Sequence, residues 1–466
     1  MGYRLWVIGM CLLAVVSVFA VSPTGTLPLV YITTQDNRAI TDTETQIPMN
    51  LYINPLQTGY TALGSSNAPI EGTIKGRGNW TWRGFDKKPY KVKFTVKQKV
   101  LGMPNNRHWC LMAFADDYLG FLKTPAGFML SQALGLRWTP RYVPVELVLN
   151  GRYMGLYFLT EQVRIASNRV HIQEQEDNET RPEFITGGWL VEIDNYETAN
   201  NVVIYEANEE EPIMLSLKEP EEPTTVQRTY IETQLNALND ALYGDSPEEL
   251  AQRLDLEEAA KYYLIQEILE DCESYHGSCF LYKDRDSLGV SDPWKFGPVW
   301  DFGNAYDRYK YAYQEAFIYV NPTFPQHWIT QLAQWPEFQQ KVQEQWYIFY
   351  HTHKEPIRTQ IRELVSTISQ AAKNDAAIWN GSQNYCSNQG DNSNMTEKQT
   401  KFFRRYDWRI DWLYSQWGEG IRPASWDNEN IQEKEQPSRG RKVLRNGQFY
   451  IECNGLTYSL LGQPID

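Results

Sequence analysis

Leu149-Asn150-Gly151-Arg152-Tyr153-Met154-Gly155-Leu156-Tyr157-Phe158-Leu159-Thr160-Glu161 is the run from which the fold class can be read. Asn150-Gly151 tolerates positive φ at both central positions of a two-residue turn, which is what a tight antiparallel hairpin demands. Apolar residues flank it, so Val143 to Leu149 and Leu156 to Thr160 are expected as paired strands. N-terminal to this hairpin, Leu29-Val30-Tyr31-Ile32-Thr33 and Tyr90-Lys91-Val92-Lys93-Phe94 are further short strands. In the second, apolar and cationic residues alternate at period two, which places Lys91 and Lys93 on one face. Between these strands and the hairpin, Leu122 to Leu134 is expected as a helix closing at Gly135.

C-terminal to the hairpin, the acidic stretches Glu174-Gln175-Glu176-Asp177 and Glu209-Glu210-Glu211 flank the strand-like Gly188-Trp189-Leu190-Val191-Glu192-Ile193-Asp194. They lack EF-hand ligand spacing and read as solvated loops. After Thr225 the pattern turns helical. Ser246-Pro247-Glu248-Glu249 reads as a capping box with proline at the first helical position, and Asp255 with Glu258 repeats the signal before a helix from Leu256 to Glu270. Phe280 to Lys283 and Lys295 to Trp300 read as a strand pair, which would leave Asp301 at a strand end. Ile329 to Trp417 is mostly helical, with Trp346, Tyr347, Trp408, Trp412 and Trp417 expected as core and Asn380 to Asn394 as a polar interruption. Strands first and helices later make this an α+β chain.

Composition sets outer bounds. With 466 residues, 42% hydrophobic and 22% charged, the chain can build a sizeable core, which excludes a disordered protein. A formal net charge of −14 argues against a nucleic-acid partner, because phosphate-backbone affinity is carried by clustered Lys and Arg. Met1-Gly2-Tyr3-Arg4, the apolar run Leu5 to Val21 and the small residues Ala20 and Ser22 read as a secretory signal peptide over residues 1–22, the alternative being an uncleaved anchor. On the first reading the mature chain keeps no membrane span and is periplasmic, cell-surface or secreted. Beyond that run stand Cys110, Cys272, Cys279, Cys386 and Cys453, an odd number without CxxC spacing, so at least one thiol has no partner within the chain. Residues 421–440 read as a polar linker, and the two Asn-Gly turns in residues 441–466 mark a short β-like tail.

Three constellations carry candidate chemistry. Gly76-Arg77-Gly78-Asn79-Trp80 precedes Lys87-Lys88-Pro89-Tyr90-Lys91, so backbone NH groups, Arg77 and the lysines would oppose an anion; a plain β-turn is the alternative. Glu161 closes a strand and would hold a phosphate-binding lysine, or pair with Arg164. Asp301 lies between Pro298-Val299-Trp300 and Phe302-Gly303, where burial of its carboxylate is costly without an ion partner or a cation.

The runs Gly76-Arg77-Gly78-Asn79 … Lys87-Lys88-Pro89-Tyr90-Lys91-Val92-Lys93-Phe94, Leu149 to Val163, Asn168-Arg169-Val170, Thr186 to Asp194, and Phe280 to Asp284 with Gly297 to Phe302 resemble the CotH (spore coat protein H) kinase family, in family order across roughly residues 29–420. The resemblance implies a highly diverged protein-kinase-like fold that binds ATP and magnesium and phosphorylates Ser or Thr of a protein substrate at the surface or outside the cell. It implies that Lys88 or Lys91, with Arg77, contacts nucleotide phosphates, that Glu161 orients the site, and that Asp301 holds the metal. Glu273, in Cys272-Glu273-Ser274-Tyr275, stands where the family has a catalytic-site Asp. Gly303 stands where the family commonly carries Asn or Asp, which would remove a second metal ligand, and Lys123 stands where Arg is more usual. These departures motivate an alternative, a catalytically degenerate surface binding or assembly protein. A carbohydrate-binding or hydrolytic surface protein is a third reading. The tail resembles sorting tails of bacterial type IX secretion substrates.

Overall fold

The computed structural model describes residues 21–426, apart from positions 177, 195, 197–200, 207–210, 288, 308–314, 321–323 and 386–393, together with the backbone of four strands between 441 and 465. The signal-peptide reading and most of the 421–440 linker lie outside the described residues.

Seven strands form a closed barrel: β1 (Leu29–Thr34), β2 (Ile47–Asn54), β3 (Ile70–Gly76), β4 (Tyr90–Val100), β5 (Met103–Met112), β6 (Tyr142–Leu149) and β7 (Arg152–Glu161), in the order β1-β2-β3-β4-β5-β7-β6. Closure comes from parallel pairing of β1 with β6, Leu29 facing Glu146 and Ile32 facing Leu149, which leaves no open edge. Strand alternation fills the interior: Ile47, Met49, Leu51 and Ile53 are all buried while their neighbours face outward. Asn150 and Gly151 take φ of 50° and 75°, as a tight hairpin between β6 and β7 requires.

The helix expected after Leu122 is α2 (Lys123–Ala133), following the short α1 (Trp80–Arg83). Asp117 starts it: Oδ1 accepts from Leu119 N at 2.8 Å and Oδ2 from Lys123 N at 2.9 Å. A second antiparallel sheet follows, β12-β11-β8-β10-β9, made of β8 (Trp189–Ile193), β9 (Asn201–Ile204), β10 (Ile213–Glu219), β11 (Cys279–Lys283) and β12 (Lys295–Phe296). β12 stops at Phe296 rather than Trp300. Pro298 has no NH to offer a ladder, so the chain from Gly297 onward is irregular and Asp301 sits beyond the sheet, not at a strand end.

The helices are α3 (Thr225–Leu242), α4 (Pro247–Arg253), α5 (Leu256–Leu269), α6 (Ile329–Leu332), α7 (Pro336–Ile348), α8 (Lys354–Trp379) and α9 (Met395–Trp417). Ser246 and Asp255 cap α4 and α5 by accepting from Glu249 N and Glu258 N. The reciprocal capping box falls instead at Thr224 with Gln227 ahead of α3. Of the expected core aromatics Trp346 is fully buried, whereas Tyr347, Trp408, Trp412 and Trp417 are partly exposed. The chain is thus mixed α/β, β-rich in its N-terminal part and helical in its C-terminal part.

Barrel and helices are joined by a buried ion pair. Lys87 Nζ lies 2.8 Å from Asp375 Oδ1 of α8, both side chains wholly buried, and donates to Ala113 O at 2.9 Å and Leu156 O at 2.7 Å. Asp375 also accepts from Leu156 N at 2.8 Å and Tyr385 Oη at 2.6 Å. Gly155 is needed here twice, because its φ is +90° and a Cβ would collide with Asp375 Oδ1. Cys110 and Cys279 are buried free thiols, buried Cys272 directs its Sγ to Asn304 O, and Cys386 lies outside the described residues. In the tail, β13 (Arg441–Arg445), β14 (Gln448–Cys453), β15 (Leu456–Ser459) and β16 (Pro464–Ile465) pair antiparallel in sequence order. Among the described residues no helix is long and apolar enough to cross a membrane.

Candidate active site

A cleft of about 1090 Å³ lies between the outer face of β3–β5, the second sheet, and the segment from Glu273 to Asp307. Its lining carries both signs, and Lys218 is paired with Glu192 and Asp194 and Lys75 with Glu44. From β3, β4 and β10 come Lys75, Lys91, Lys93 and Lys218, with Arg77 directly after β3. Lys91 and Lys93 share a strand face as period two predicts, while Tyr90, Val92 and Phe94 turn into the barrel. Desolvation pushes the Lys91 ammonium below its ordinary pKa, and Arg77, Lys75 and Lys218 push the same way. Desolvation with the neighbouring Arg164 and Lys93 lowers His108 to about 3, so it adds no charge at neutral pH. Arg77 lies 5.4 Å from the Trp300 ring centroid, and its buried Nε has no hydrogen-bond partner.

Asp301 enters the cleft from Trp300-Asp301-Phe302-Gly303. Phe302 is fully buried and packs on Gly127 of α2, and its NH donates to Thr124 Oγ1 at 3.3 Å. Trp300 is 6% exposed and lies 6.0 Å from Phe128. With an aromatic anchored on each side, Asp301 is turned outward into the cleft at φ 46°. The left-handed conformation costs roughly 1–2 kcal/mol, and burial of each aromatic contributes ~1.5–3 kcal/mol, so the anchors win. The carboxylate is exposed, which corrects the expectation that it would be buried and need a compensating ion.

Four further groups converge here. Asp116, just after β5, places Oδ2 2.5 Å from where a Cβ on Gly303 would stand, and Asp301 Oδ1 lies 3.3 Å from that point. Burial first, then Asp301, raise the Asp116 carboxyl to about 7, with Lys123 opposing. Lys123 donates to Gly303 O at 2.8 Å and pairs with Asp307 at 3.4 Å. Desolvation works against its charge, but Asp307, Asp117 and Asp116 outweigh it and its pKa rises. Glu273 lines the cleft and accepts from Asn304 Nδ2. Beneath it, buried Asp271 is held well above the usual carboxylate range by desolvation and by Glu273 and Asp301.

Of the six residues singled out from sequence, Arg77, Lys91, Glu273 and Asp301 line this one cleft. Lys88 does not reach it: Nζ donates to Trp82 O at 2.5 Å and sits over the Trp82 ring. Glu161 does not reach it either. Its buried carboxylate pairs with Arg141 at 3.0 Å and with Arg169, neither lysine nor Arg164 being its partner. Glu192 of β8 does line the cleft and pairs with Lys218 at 2.5 Å. Sequence reasoning assigned no site role to Asp116, Glu192 or Lys218; Glu192 lies in the run Thr186 to Asp194 that carries the resemblance, whereas nothing in the local pattern of Asp116 or Lys218 separates them from ordinary loop and strand residues.

The CotH kinase protein family matches residues 74–409. The chain belongs to that family. The matched span runs from β3 to α9 and so includes both sides of the cleft of this CotH family member. No curated protein matches the chain.

Membership suggests ATP and a divalent metal, and the residues present fit them. Among the described residues no three His, Cys, Asp or Glu gather into a metal-binding group. Two carboxylates do meet over Gly303, in a cleft that also holds Lys91 and an unpartnered Arg77 nitrogen. Magnesium is typically held by one or two carboxylates, with phosphate and water oxygens completing its shell.

Proposed function

We propose that this chain is an ATP- and divalent-metal-dependent protein kinase, exported from the cell, that phosphorylates Ser or Thr hydroxyls of exported or surface proteins. The observation that carries the reading is that Lys91 and Arg77 line one cavity together with Asp301, Asp116 and Glu273. Phosphoryl transfer needs positioning and charge neutralisation more than covalent chemistry from the protein, and such a sparse set meets that need. On this reading the barrel and the helical part are the two lobes of a diverged kinase-like fold over residues 29–420, residues 1–22 direct export, and residues 441–466 are a sorting tail.

Lys91 and Arg77 would receive the phosphates, relieving the mutual repulsion of the cations gathered there. Trp300 keeps the Arg77 guanidinium oriented by stacking. Asp301, exposed and fixed by its aromatic neighbours, would hold the divalent ion, which when bound neutralises charge developing on the transferred group. Glu273, steadied by Asn304, would accept the proton of the acceptor hydroxyl as its oxygen forms the new bond to phosphorus and the bond to the leaving diphosphate breaks. Lys123 carries no phosphate role here, since its ammonium is engaged by Gly303 O and Asp307.

The test is transfer of label from γ-labelled ATP to the protein itself or to an added acceptor in magnesium or manganese. Labelling by the intact chain and its loss in Asp301→Ala are expected. Folded protein that neither labels nor is stabilised by ATP with either ion would sink the reading and leave the surface-scaffold alternative.

A further inference from the structure

Gly303 raises a question that its backbone does not answer. Its φ lies outside the left-handed region, so no conformational demand excludes a side chain. What excludes one is Asp116. A Cβ at 303 would stand 2.5 Å from Asp116 Oδ2, closer than nonbonded atoms tolerate, and 3.3 Å from Asp301 Oδ1. The space that a side chain at 303 would fill already holds a carboxylate from a different part of the chain. Lys123 acts on that carboxylate through its charge, but its hydrogen bonds go to Gly303 O and Asp307 Oδ1.

We propose that Asp116 is the second metal-binding carboxylate of this site, occupying from the β5–α2 connection the position that a side chain at 303 would otherwise supply. The inference rests on the kinase reading above. Its own content is that Gly303 marks a relocated ligand and not a lost one. Asp116 is well placed for this. Asp117, its neighbour, is fixed by accepting from Leu119 N and Lys123 N, so the backbone that carries Asp116 is tied to the start of α2. The same helix seats Phe302 on Gly127 and receives its NH at Thr124. One rigid element therefore positions both acids, as a metal site held to a few tenths of an ångström requires.

The experiment measures binding of Mn²⁺ to the full chain by electron paramagnetic resonance, with a non-hydrolysable ATP analogue present. Wild type, Asp116→Ala, Asp116→Asn, Asp301→Asn and the exchange variant Asp116→Ala/Gly303→Asp are compared. Circular dichroism and binding of the analogue without metal serve as controls for folding. Loss of a ligand is expected to weaken Mn²⁺ binding at least as much as loss of a second-shell partner, on the order of 10–100-fold, in both Asp116 variants and in Asp301→Asn. The exchange variant should recover most of that loss, since the carboxylate returns from position 303 on the facing segment. Wild-type affinity in both Asp116 variants, or an exchange variant no tighter than Asp116→Ala, overturns the inference. If Asp301→Asn alone weakens binding, the inference falls and the kinase reading stands. If wild type binds no Mn²⁺ beside the analogue, both fall.

Discussion

Replacing Lys87 with Met separates a structural lysine from a phosphate-binding one within the run Lys87-Lys88-Pro89-Tyr90-Lys91. Lys87 Nζ makes three contacts of 2.7–2.9 Å, to Leu156 O, Asp375 Oδ1 and Ala113 O, in a place with no solvent exposure. Its ammonium also sits 5.0 and 4.9 Å from the rings of Phe121 and Tyr157. Removing it leaves Asp375 buried with Leu156 N and Tyr385 Oη as its remaining donors, and leaves two main-chain acceptors without theirs. Breaking a buried pair from one side costs about 3–5 kcal/mol, a large share of the roughly 5–15 kcal/mol by which proteins are stable. Urea unfolding followed by tryptophan fluorescence should show that loss. Replacing both partners, Lys87→Met with Asp375→Asn, should restore part of it, because no buried charge is then stranded. A Lys87→Met protein within about 0.5 kcal/mol of wild type that had lost ATP binding would refute this placement of Lys87.

Glu219, whose carboxyl burial raises to about 7, should make stability pH-dependent. The folded state holds a proton that the unfolded chain releases near its ordinary 4.5, so this contribution is complete below that value and is lost as pH rises through 7. The shift corresponds to at most about 3 kcal/mol and, discounted for partial exposure, to ~1–2 kcal/mol. Glu219→Gln should therefore flatten the pH profile of thermal unfolding and be the more stable protein at pH 8; identical profiles would refute the assignment. Glu161→Gln should destabilise by about 3 kcal/mol or more in chemical unfolding, because Arg169 is left buried without its carboxylate, while ATP affinity of the folded fraction stays unchanged. Calorimetric titration should find ATP binding weakened about tenfold or more in Lys91→Met and unaltered in Lys88→Met, a charge-assisted phosphate contact being worth roughly 1.5–3 kcal/mol. Equal effects at the two lysines would contradict the assignment of Lys91, and not Lys88, to the cleft.

The features that sequence predicts well are local ones. Asn150-Gly151 determines its hairpin through two φ angles, and Ser246 and Asp255 determine helix starts through one hydrogen bond each. Period two orders Lys91 and Lys93, but it says nothing of Lys87 and Lys88, which precede the first strand residue, Tyr90. Barrel closure between Leu29–Ile32 and Glu146–Leu149 joins segments more than a hundred residues apart and leaves no trace in either. Glu161 closes its strand as expected, yet its partners are arginines supplied by other segments. Asp301 was recognisable from its flanking aromatics, although its exposure follows from how Phe302 seats on Gly127, a tertiary fact. Gly303 read as a missing ligand because a sequence records the absent side chain and not the carboxylate that fills its space.

The most direct measurement is a crystal structure of the full chain with a non-hydrolysable ATP analogue and Mn²⁺, the ion located by its anomalous scattering. The account predicts one manganese bound by Asp301 and Asp116, with the phosphates on Lys91 and Arg77 and the nucleotide inside the cleft lined by Glu273. A nucleotide bound elsewhere, or manganese absent from Asp301 with the analogue in place, would contradict it.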